Sequence, residues 1–335
     1  MSPEPATTLA SCTCLVTGGA GFIGSHLADA LLAEGHRVLV IDDLSTGRRE
    51  NIAHLAAHPQ FQFTHFSIED EQVLNSLAGQ AKVIFHLAAA VGVKLIVEKP
   101  VQTIETNVMG TELVLRAAAR HQCRVIIAST SEVYGKGSRV PFSEDDDALL
   151  GPTSRSRWAY AASKMVDEFL GLAYFSEYGT PVVCARLFNT IGPRQSGQYG
   201  MVVPRLVRQA LAGEPLTVYA DGSQTRCFCD VRDVVRALIG LAAHPHAPGR
   251  VFNVGNTDEI SILELARLIL RLTGSASTVR FIPFHEAYAP GFEDMQRRVP
   301  NISRITELLG WRPTRSLDET LQTIIARERQ EPGGD

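Results

Sequence analysis

Tyr160 and Lys164 are the side chains whose types and spacing most directly indicate catalysis. Residues four positions apart lie on one face of a helix, and the pattern from 158 to 178 predicts a helix. A lysine ammonium beside a tyrosine lowers the pKa of the phenol because it favours the phenolate. Such a tyrosine can take the proton of an alcohol while a hydride leaves the same carbon. Lysine is rare here, with five in 335 residues, so chance seldom produces this pair.

A second polar cluster follows an apolar run at 124–128, which predicts a strand. The segment Ser129–Gly135 begins where that strand ends, and the carboxyl ends of strands in parallel α/β sheets face the ligand crevice. Thr130 offers a hydroxyl that can hydrogen-bond a reacting alcohol, and Glu132 offers a carboxylate that can act as acid or base. The alternative for Glu132 is a helix-capping or solvated carboxylate.

Three glycines, Gly18, Gly21 and Gly24, lie between a predicted strand and a predicted helix. In that position glycines allow a tight turn, close approach of a pyrophosphate and close packing of helix on sheet. The helix N-terminus then offers free N–H groups to the phosphates. Asp42 follows the next strand, where a carboxylate bonds a ribose 2′-hydroxyl and repels a 2′-phosphate. The pattern therefore predicts binding of NAD rather than NADP.

These residues need a scaffold in which strands alternate with helices. Short apolar runs without polar alternation predict strands buried on both faces of a parallel sheet. The predicted strands are 14–17, 37–41, 83–87, 124–128 and 181–187, and the helices are 22–34, 101–119 and 158–178. The fold class is α/β, a Rossmann-type doubly wound parallel sheet with a smaller, interleaved C-terminal substrate domain.

The domain boundaries follow from a change in composition after about residue 188, where loops become rich in Gly, Pro, Arg and Gln. Residues 1–10 are predicted to be a flexible tail and 11–187 an NAD-binding domain. A later segment near 226–250 is predicted to return to that domain, and 188–330 to bind the substrate. Within the C-terminal part, Thr225–Asp230 is predicted to be one strand.

Composition and charge exclude several classes of partner. The chain has 32 basic and 36 acidic residues, so it lacks the basic excess that binds a nucleic-acid backbone. We expect no membrane span, because no run of about 18 apolar residues occurs. We expect a cytoplasmic location, because the N-terminal sequence lacks a secretory pattern. The six cysteines are predicted to be reduced and buried, with no metal site, because Cys-x-x-Cys pairs and histidines at ligand spacing are lacking.

Together these residues resemble the extended short-chain dehydrogenase/reductase family of nucleotide-sugar enzymes. The resemblance spans roughly residues 13–325 and includes four further motifs. These are His86–Ala89, Asn107, Arg186–Asn189 and Gly192–Arg194. It implies a homodimer formed through the helices near 101–119 and 158–178.

Within that family, three stretches are similar to the UDP-glucuronate decarboxylases: Ser129–Gly135, Ser156–Lys164 and Tyr288–Ile302. The similarity implies a catalytic set, and the loop after Ala89 departs from the decarboxylase pattern. The catalytic residues so implied are Thr130, Glu132, Tyr160, Lys164 and Arg298. The residues predicted to bind NAD are Gly18, Gly21, Phe22, Ile23, Gly24, Asp42, Asp43, Ile68, Leu87, Ala88, Ala89, Asn107, Tyr160 and Lys164. The residues predicted to bind the nucleotide sugar, expected to be UDP-linked, are Ser131, Asn189, Arg194, Arg226, Tyr288 and Arg298.

The leading hypothesis for the reaction is decarboxylation of UDP-glucuronate after transient oxidation at C4. A UDP-sugar 4-epimerase shares the oxidation step and does not need Glu132. A 4,6-dehydratase is a further alternative, although such enzymes usually carry an aspartate where this chain has Ser131. A non-catalytic NAD-binding sensor is the remaining alternative, and the presence of Thr130, Tyr160 and Lys164 argues against it.

Overall fold

Short apolar runs form a central sheet in the computed structural model of this chain, which describes residues 9–90, 99–137, 139–197, 201–283 and 295–330. Most of the predicted tail, the loop at 91–98 and Tyr288 lie outside the described residues. The strands of the sheet are β1 (Thr13–Thr17), β2 (Arg37–Ile41), β3 (Phe61–Thr64), β4 (Val83–His86), β5 (Arg124–Thr130), β6 (Val182–Leu187) and β11 (Arg250–Val254).

The strand order across the sheet is β11-β6-β5-β4-β1-β2-β3, and every neighbouring pair is parallel. The predicted α/β fold of Rossmann type is thus confirmed. After β3 the chain crosses back to place β4 on the other side of β1, so the order reverses between β1 and β4. Ligands bind at such a switch point, beyond the carboxyl ends of the strands.

Helices cover both faces of the sheet. They are α1 (Phe22–Ala33), α2 (Glu71–Ala78), α3 (Pro100–His121), α4 (Arg157–Tyr178), α5 (Val202–Leu211), α6 (Val231–Ala243), α7 (Ile262–Thr273), α8 (Ser303–Leu309) and α9 (Leu317–Gln330). On one face Val16 packs with Leu27 and Leu238. On the other face Leu15 packs with Val114. Adjacent residues of one strand enter opposite cores because side chains alternate across a strand, which explains the continuous apolar runs.

A smaller core lies in the C-terminal part of the chain, where α5, α7 and α9 bury Leu206, Leu265 and Leu321. Ser261 begins α7 with a capping box that includes Glu264. The short strands of this part are β7 (Thr190–Ile191), β8 (Leu216–Tyr219), β9 (Thr225–Cys227), β10 (Cys229–Asp230), β12 (Glu259–Ser261), β13 (Val279–Ile282) and β14 (Arg297–Arg298).

The prediction of one strand over Thr225–Asp230 was wrong. The segment forms two strands, because β9 pairs with β12 and β14 whereas β10 pairs with β7 in a separate sheet. The choice of partner strand is tertiary and leaves no local pattern. None of the helices in the described part of the chain combines the length and apolar character that a membrane span requires.

Candidate active site

A cavity of about 840 Å³ opens at the switch point, beside the carboxyl ends of β1, β4 and β5. Most of the predicted site residues line it. They are Gly18, Gly21, Phe22, Ile23, Gly24, Asp42, Asp43, Ile68, Leu87, Ala88, Ala89, Thr130, Ser131, Glu132, Tyr160, Asn189, Arg194, Arg226 and Arg298. Lys164 and Asn107 are buried behind this wall. The structure therefore brings residues from distant parts of the sequence to one place.

The glycine turn is shaped so that backbone rather than side chain faces the cavity. Gly18 has φ of 69°, which L side chains rarely adopt, and a Cβ there would lie 2.7 Å from the backbone nitrogen of Ala88. A Cβ at Gly24 would lie 2.7 Å from the Cα of Gly19. The turn leads directly into α1, whose first residues line the cavity, and the first N–H groups of a helix have no partner within it. This cradle fits the pyrophosphate of NAD.

Asp42 closes the same cavity from the end of β2. One carboxylate oxygen accepts a hydrogen bond from the N–H of Ala20 at 2.9 Å, and the other accepts from the N–H of Leu44 at 2.8 Å. Burial raises the pKa of Asp42, and these two hydrogen bonds oppose the rise. Each oxygen has a further lone pair, so the carboxylate can also accept from ribose hydroxyls.

Tyr160 lies in the cavity wall with Thr130. Burial is the main cause that raises the pKa of Tyr160, and the charges of Glu132 and Asp167 raise it further, whereas a hydrogen bond with Thr130 lowers it. The structure therefore does not show the lowered pKa of Tyr160 that a neighbouring lysine predicts, because burial outweighs it. Lys164 itself is paired with Asp167.

Lys164 is held by Asp167, one turn further along α4. Its Nζ lies 2.7 Å from Asp167 Oδ2, with the two side chains 2% and 0% exposed. Burial raises the pKa of Asp167, and the lysine opposes that effect.

Asn107 accepts a hydrogen bond from the N–H of Ala90 at 2.8 Å and donates one to Ser163 Oγ at 3.0 Å. Asn107 thus ties the wall of the cavity to the helix that carries Tyr160.

Glu132 lies between two guanidinium groups. Arg157 Nη1 is 2.8 Å from one of its oxygens and Arg298 Nη2 is 2.9 Å from the other. Burial alone would raise the pKa of Glu132, but the charges of Arg298 and Arg157 and their hydrogen bonds lower it to about 2. The carboxylate is therefore ionised, and the three side chains together carry one net positive charge.

The remaining predicted contacts lie across the cavity. Arg194 pairs with Asp29 at 2.8 Å, and Arg226 donates to the carbonyl oxygen of Thr225 at 2.7 Å. Ser131 is buried in the turn after β5. These contacts fix two positive charges at the cavity wall.

Sequence reasoning missed Arg157 and Asp167. Each was detectable in principle, because Arg157 lies three residues before Tyr160 and Asp167 lies three residues after Lys164 on the same helix. Positions three apart share a helix face. What the sequence did not contain was the pairing of Arg157 with Glu132, which depends on how α4 packs against the turn after β5.

The doubly wound sheet, the glycine cradle at its switch point and the Tyr160–Lys164 pair define an extended short-chain dehydrogenase/reductase that uses NAD. Comparison with known proteins shows which family of these dehydrogenase/reductases the chain belongs to. The chain belongs to the GDP-mannose 4,6 dehydratase family, whose profile matches residues 15–324. It is therefore an NAD-dependent enzyme that modifies nucleotide sugars, as the resemblance in the sequence implied.

The relatives of this chain are named for more than one reaction. A UDP-N-acetyl-alpha-D-glucosaminuronate decarboxylase of Bacillus cytotoxicus is 44% identical over 313 residues, covering 93% of this chain and 96% of that protein. UDP-glucuronic acid decarboxylase 1 of Xenopus tropicalis is 39% identical, covering 95% of this chain and 72% of that protein. The structure of UDP-glucuronic acid 4-epimerase from Bacillus cereus, in complex with UDP-glucuronic acid and NAD, superposes with a TM-score of 0.85 at 32% identity, covering 95% of this chain and 99% of that one.

Proposed function

We propose that this protein is a UDP-uronate decarboxylase with UDP-glucuronate as its substrate. The observation that carries the proposal is the position of Glu132 between Arg157 and Arg298, in the same cavity as Tyr160. The net positive charge of this trio suits a sugar carboxylate, which guanidinium groups bind through charge-assisted hydrogen bonds. A substrate with an uncharged 6-hydroxymethyl group would not need this positive charge.

The first step is oxidation at C4 of the sugar. Tyr160 takes the proton of the 4-hydroxyl, and Thr130, which hydrogen-bonds the phenol, favours the phenolate. Lys164 lies four residues after Tyr160 on α4, and Asp167 balances its charge. When bound, NAD supplies the hydride acceptor for this oxidation and a hydride donor for a later reduction. The cradle of Gly18, Gly21 and Gly24 would hold its pyrophosphate.

The second step is loss of CO₂. The new ketone at C4 is β to the C6 carboxylate, so the electrons of the breaking C5–C6 bond move onto the ketone oxygen. Arg298 and Arg157 orient the carboxylate, which places the breaking bond relative to the ketone. C5 must then receive a proton. The low pKa of Glu132 leaves its carboxylate without a proton to give, so water is the source and Glu132 orients that water.

The C-terminal part of the chain, 188–330, is proposed to hold the nucleotide. Arg194 and Arg226 lie at the cavity wall and suit the two phosphates of UDP. Asn189 and Ser131 line the same cavity and are proposed to contact the sugar. Tyr288, also proposed as a substrate contact, lies outside the described residues.

A second substrate, UDP-N-acetylglucosaminuronate, is favoured by one specific observation. The relative that is 44% identical over 96% of its length is named for that sugar. Both sugars carry the C6 carboxylate, so the proposed chemistry is the same. The difference is whether the cavity accepts an acetamido group at C2.

The test is incubation of the purified protein with each UDP-uronate and NAD, followed by measurement of CO₂ and mass spectrometry of the product. We expect CO₂ and a UDP-pentose, or its 4-keto form with release of NADH. A UDP-galacturonate product without CO₂ would make the protein a 4-epimerase and refute the proposal. Turnover of UDP-glucose to a 4-keto-6-deoxy sugar would make it a dehydratase. Tyr160→Phe serves as the inactive control.

We also propose that the protein is a homodimer through α3 and α4. These helices pack on each other and leave large apolar side chains exposed, including Met109 at 60% and Phe169 at 70%. Contiguous exposed apolar surface of this kind marks an interface. Light scattering during gel filtration should give a dimer for the natural chain and a monomer for Phe169→Asp. Phe281→Asp, at a phenylalanine on β13 that is 50% exposed, should leave the dimer unchanged.

A cytoplasmic location is proposed because the cysteines are reduced. All six lie in the described residues and none is in a disulfide. Proteins of oxidising compartments commonly join such cysteines. Cell fractionation with a periplasmic or secreted marker tests the location.

A further inference from the structure

Cys12, Cys14 and His36 come together at the amino end of β1. The two Sγ atoms are 3.8 Å apart, and Cys12 Sγ is 3.8 Å from His36 Nδ1. One ligand atom from each of the three residues lies within 4.8 Å of the others. The glycine turn follows the carboxyl end of the same strand, roughly 16 Å away at about 3.3 Å per residue. This cluster is therefore separate from the proposed active site.

The backbone holds the cluster in place. Parallel pairing of β1 with β2 aligns Thr13 with Arg37, so the residues just before each strand, Cys12 and His36, become neighbours. The N–H of Arg37 donates to the carbonyl oxygen of Cys12 at 3.0 Å. Ser11 Oγ donates to the carbonyl oxygen of Gly35 at 2.9 Å. These bonds fix both segments, so the three side chains need no rearrangement to meet.

His36 is unusual in its hydrogen bonding. It is 1% exposed, and its Nε2 has no hydrogen-bond partner among the described residues. Its Nδ1 accepts a long hydrogen bond from the N–H of Cys12 at 3.3 Å, so the proton is on Nε2, and a metal ion would take the Nδ1 lone pair in place of this bond. Nε2 in turn faces Glu34, with 3.8 Å to its carboxylate oxygen. A histidine that binds a metal through one nitrogen commonly directs the other at a carboxylate.

Zinc binds cysteine as the thiolate, so an ion at this cluster would displace the protons of Cys12 and Cys14.

We propose that Cys12, Cys14 and His36 form a binding site for Zn²⁺. Two sulfurs and an imidazole nitrogen are ligands that zinc prefers. Bonds of about 2.3 Å to sulfur and about 2.0–2.1 Å to nitrogen separate tetrahedral ligands by about 3.6–3.8 Å, close to the distances found here. Two thiolates neutralise the ion, so the buried site carries no net charge. Cys12 is partly exposed, so water takes the fourth position.

Zinc at this position would join the starts of β1 and β2. It would therefore stabilise the sheet without taking part in the reaction at the other end of β1. The site also explains the polar cluster at an otherwise apolar strand, where Cys14 is wholly buried among the side chains of the core.

The test uses the untagged full chain, reduced and freed of metal with a chelator, and titrated with Zn²⁺ against a chromogenic zinc indicator. We expect one ion per chain and a rise in the melting temperature. Cys12→Ser and His36→Gln should weaken zinc binding at least 100-fold while leaving decarboxylase activity unchanged. Cys123→Ser is the matched control, because Cys123 is buried and its thiol bonds only backbone carbonyls. Co²⁺ bound in place of zinc should show the visible bands of a tetrahedral site with sulfur ligands.

Three results would overturn the proposal. One is absence of zinc binding by the reduced natural chain. Another is equal zinc affinity of the natural chain and of Cys12→Ser, which would place the ion elsewhere. The third is a Cys12–Cys14 disulfide, shown by mass spectrometry, that forms at the same rate with and without Zn²⁺. Far-ultraviolet circular dichroism of each variant separates lost binding from lost folding.

Discussion

Lys164 Nζ lies 2.7 Å from a carboxylate oxygen of Asp167, and both side chains are buried behind the cavity wall. The pair is formed by residues three apart on one helix, so the backbone of α4 holds it. The negative charge of Asp167 balances the ammonium that stands behind Tyr160. It also adds to burial and to Glu132 in raising the pKa of Tyr160. Asp167 is therefore a positioning residue that tempers the effect of Lys164.

Asp167→Asn should move the pH dependence of kcat. Removing the negative charge lowers the pKa of Tyr160, and the phenolate is the active form, so the rising limb of the profile should move to lower pH. The folded state should lose about 3–5 kcal/mol, because a buried lysine is left unpaired. A pH–rate profile and urea unfolding measure the two effects. A lower rate with an unmoved limb would mean that Asp167 has only a structural role.

Tyr160→Phe should abolish proton removal from the 4-hydroxyl. Loss of a general base lowers kcat by about 10²–10⁴-fold, and the phenyl ring keeps the shape of the cavity wall. NAD affinity, measured by calorimetry, should change little. Tyr174→Phe is the matched control, because Tyr174 lies on the same helix, outside the cavity. If Tyr160→Phe retained full activity, the protein would not work by oxidation at C4.

Much of the fold was predictable because its strands are unbroken apolar runs. In the run at 37–41 the last four residues are fully buried, and the structure begins and ends β2 at the same residues as the run. β3 at Phe61–Thr64 alternates with polar residues near the edge of the sheet, so its pattern was too weak to predict. Pairing between strands is a tertiary choice, which is why the break after Cys227 was not foreseen.

The candidate site was predictable where the residues that act together are close in the sequence. The glycine turn and the Tyr160–Lys164 pair are such cases. The environment of Tyr160 was not predictable, because burial and the charge of Glu132 reverse the direction expected for its pKa. The closeness of His36 to Cys12 was likewise hidden, since it results from the register of β1 against β2.

Glu132→Gln should separate oxidation from decarboxylation. The amide leaves Arg157 and Arg298 without a counter-charge, so the two guanidinium groups stabilise the substrate carboxylate against its conversion to neutral CO₂. We expect CO₂ release to fall by about 100-fold or more, while oxidation at C4 continues. Absorbance of NADH in single-turnover mixtures and trapping of CO₂ measure the two steps. Equal losses in both would assign Glu132 to substrate binding alone.

Gly24→Ala should damage the nucleotide cradle more than Gly21→Ala. A Cβ at Gly24 would lie 2.7 Å from Gly19 Cα, and both the contact and its surroundings are backbone, so the turn itself must move. A Cβ at Gly21 would lie 3.1 Å from the carbonyl oxygen of Gly18, which a small shift relieves. Overpacking of this kind costs about 1–3 kcal/mol. Thermal unfolding without NAD should show a lower melting temperature for Gly24→Ala than for Gly21→Ala. Equal behaviour of the two variants would mean that the turn is looser than its contacts indicate.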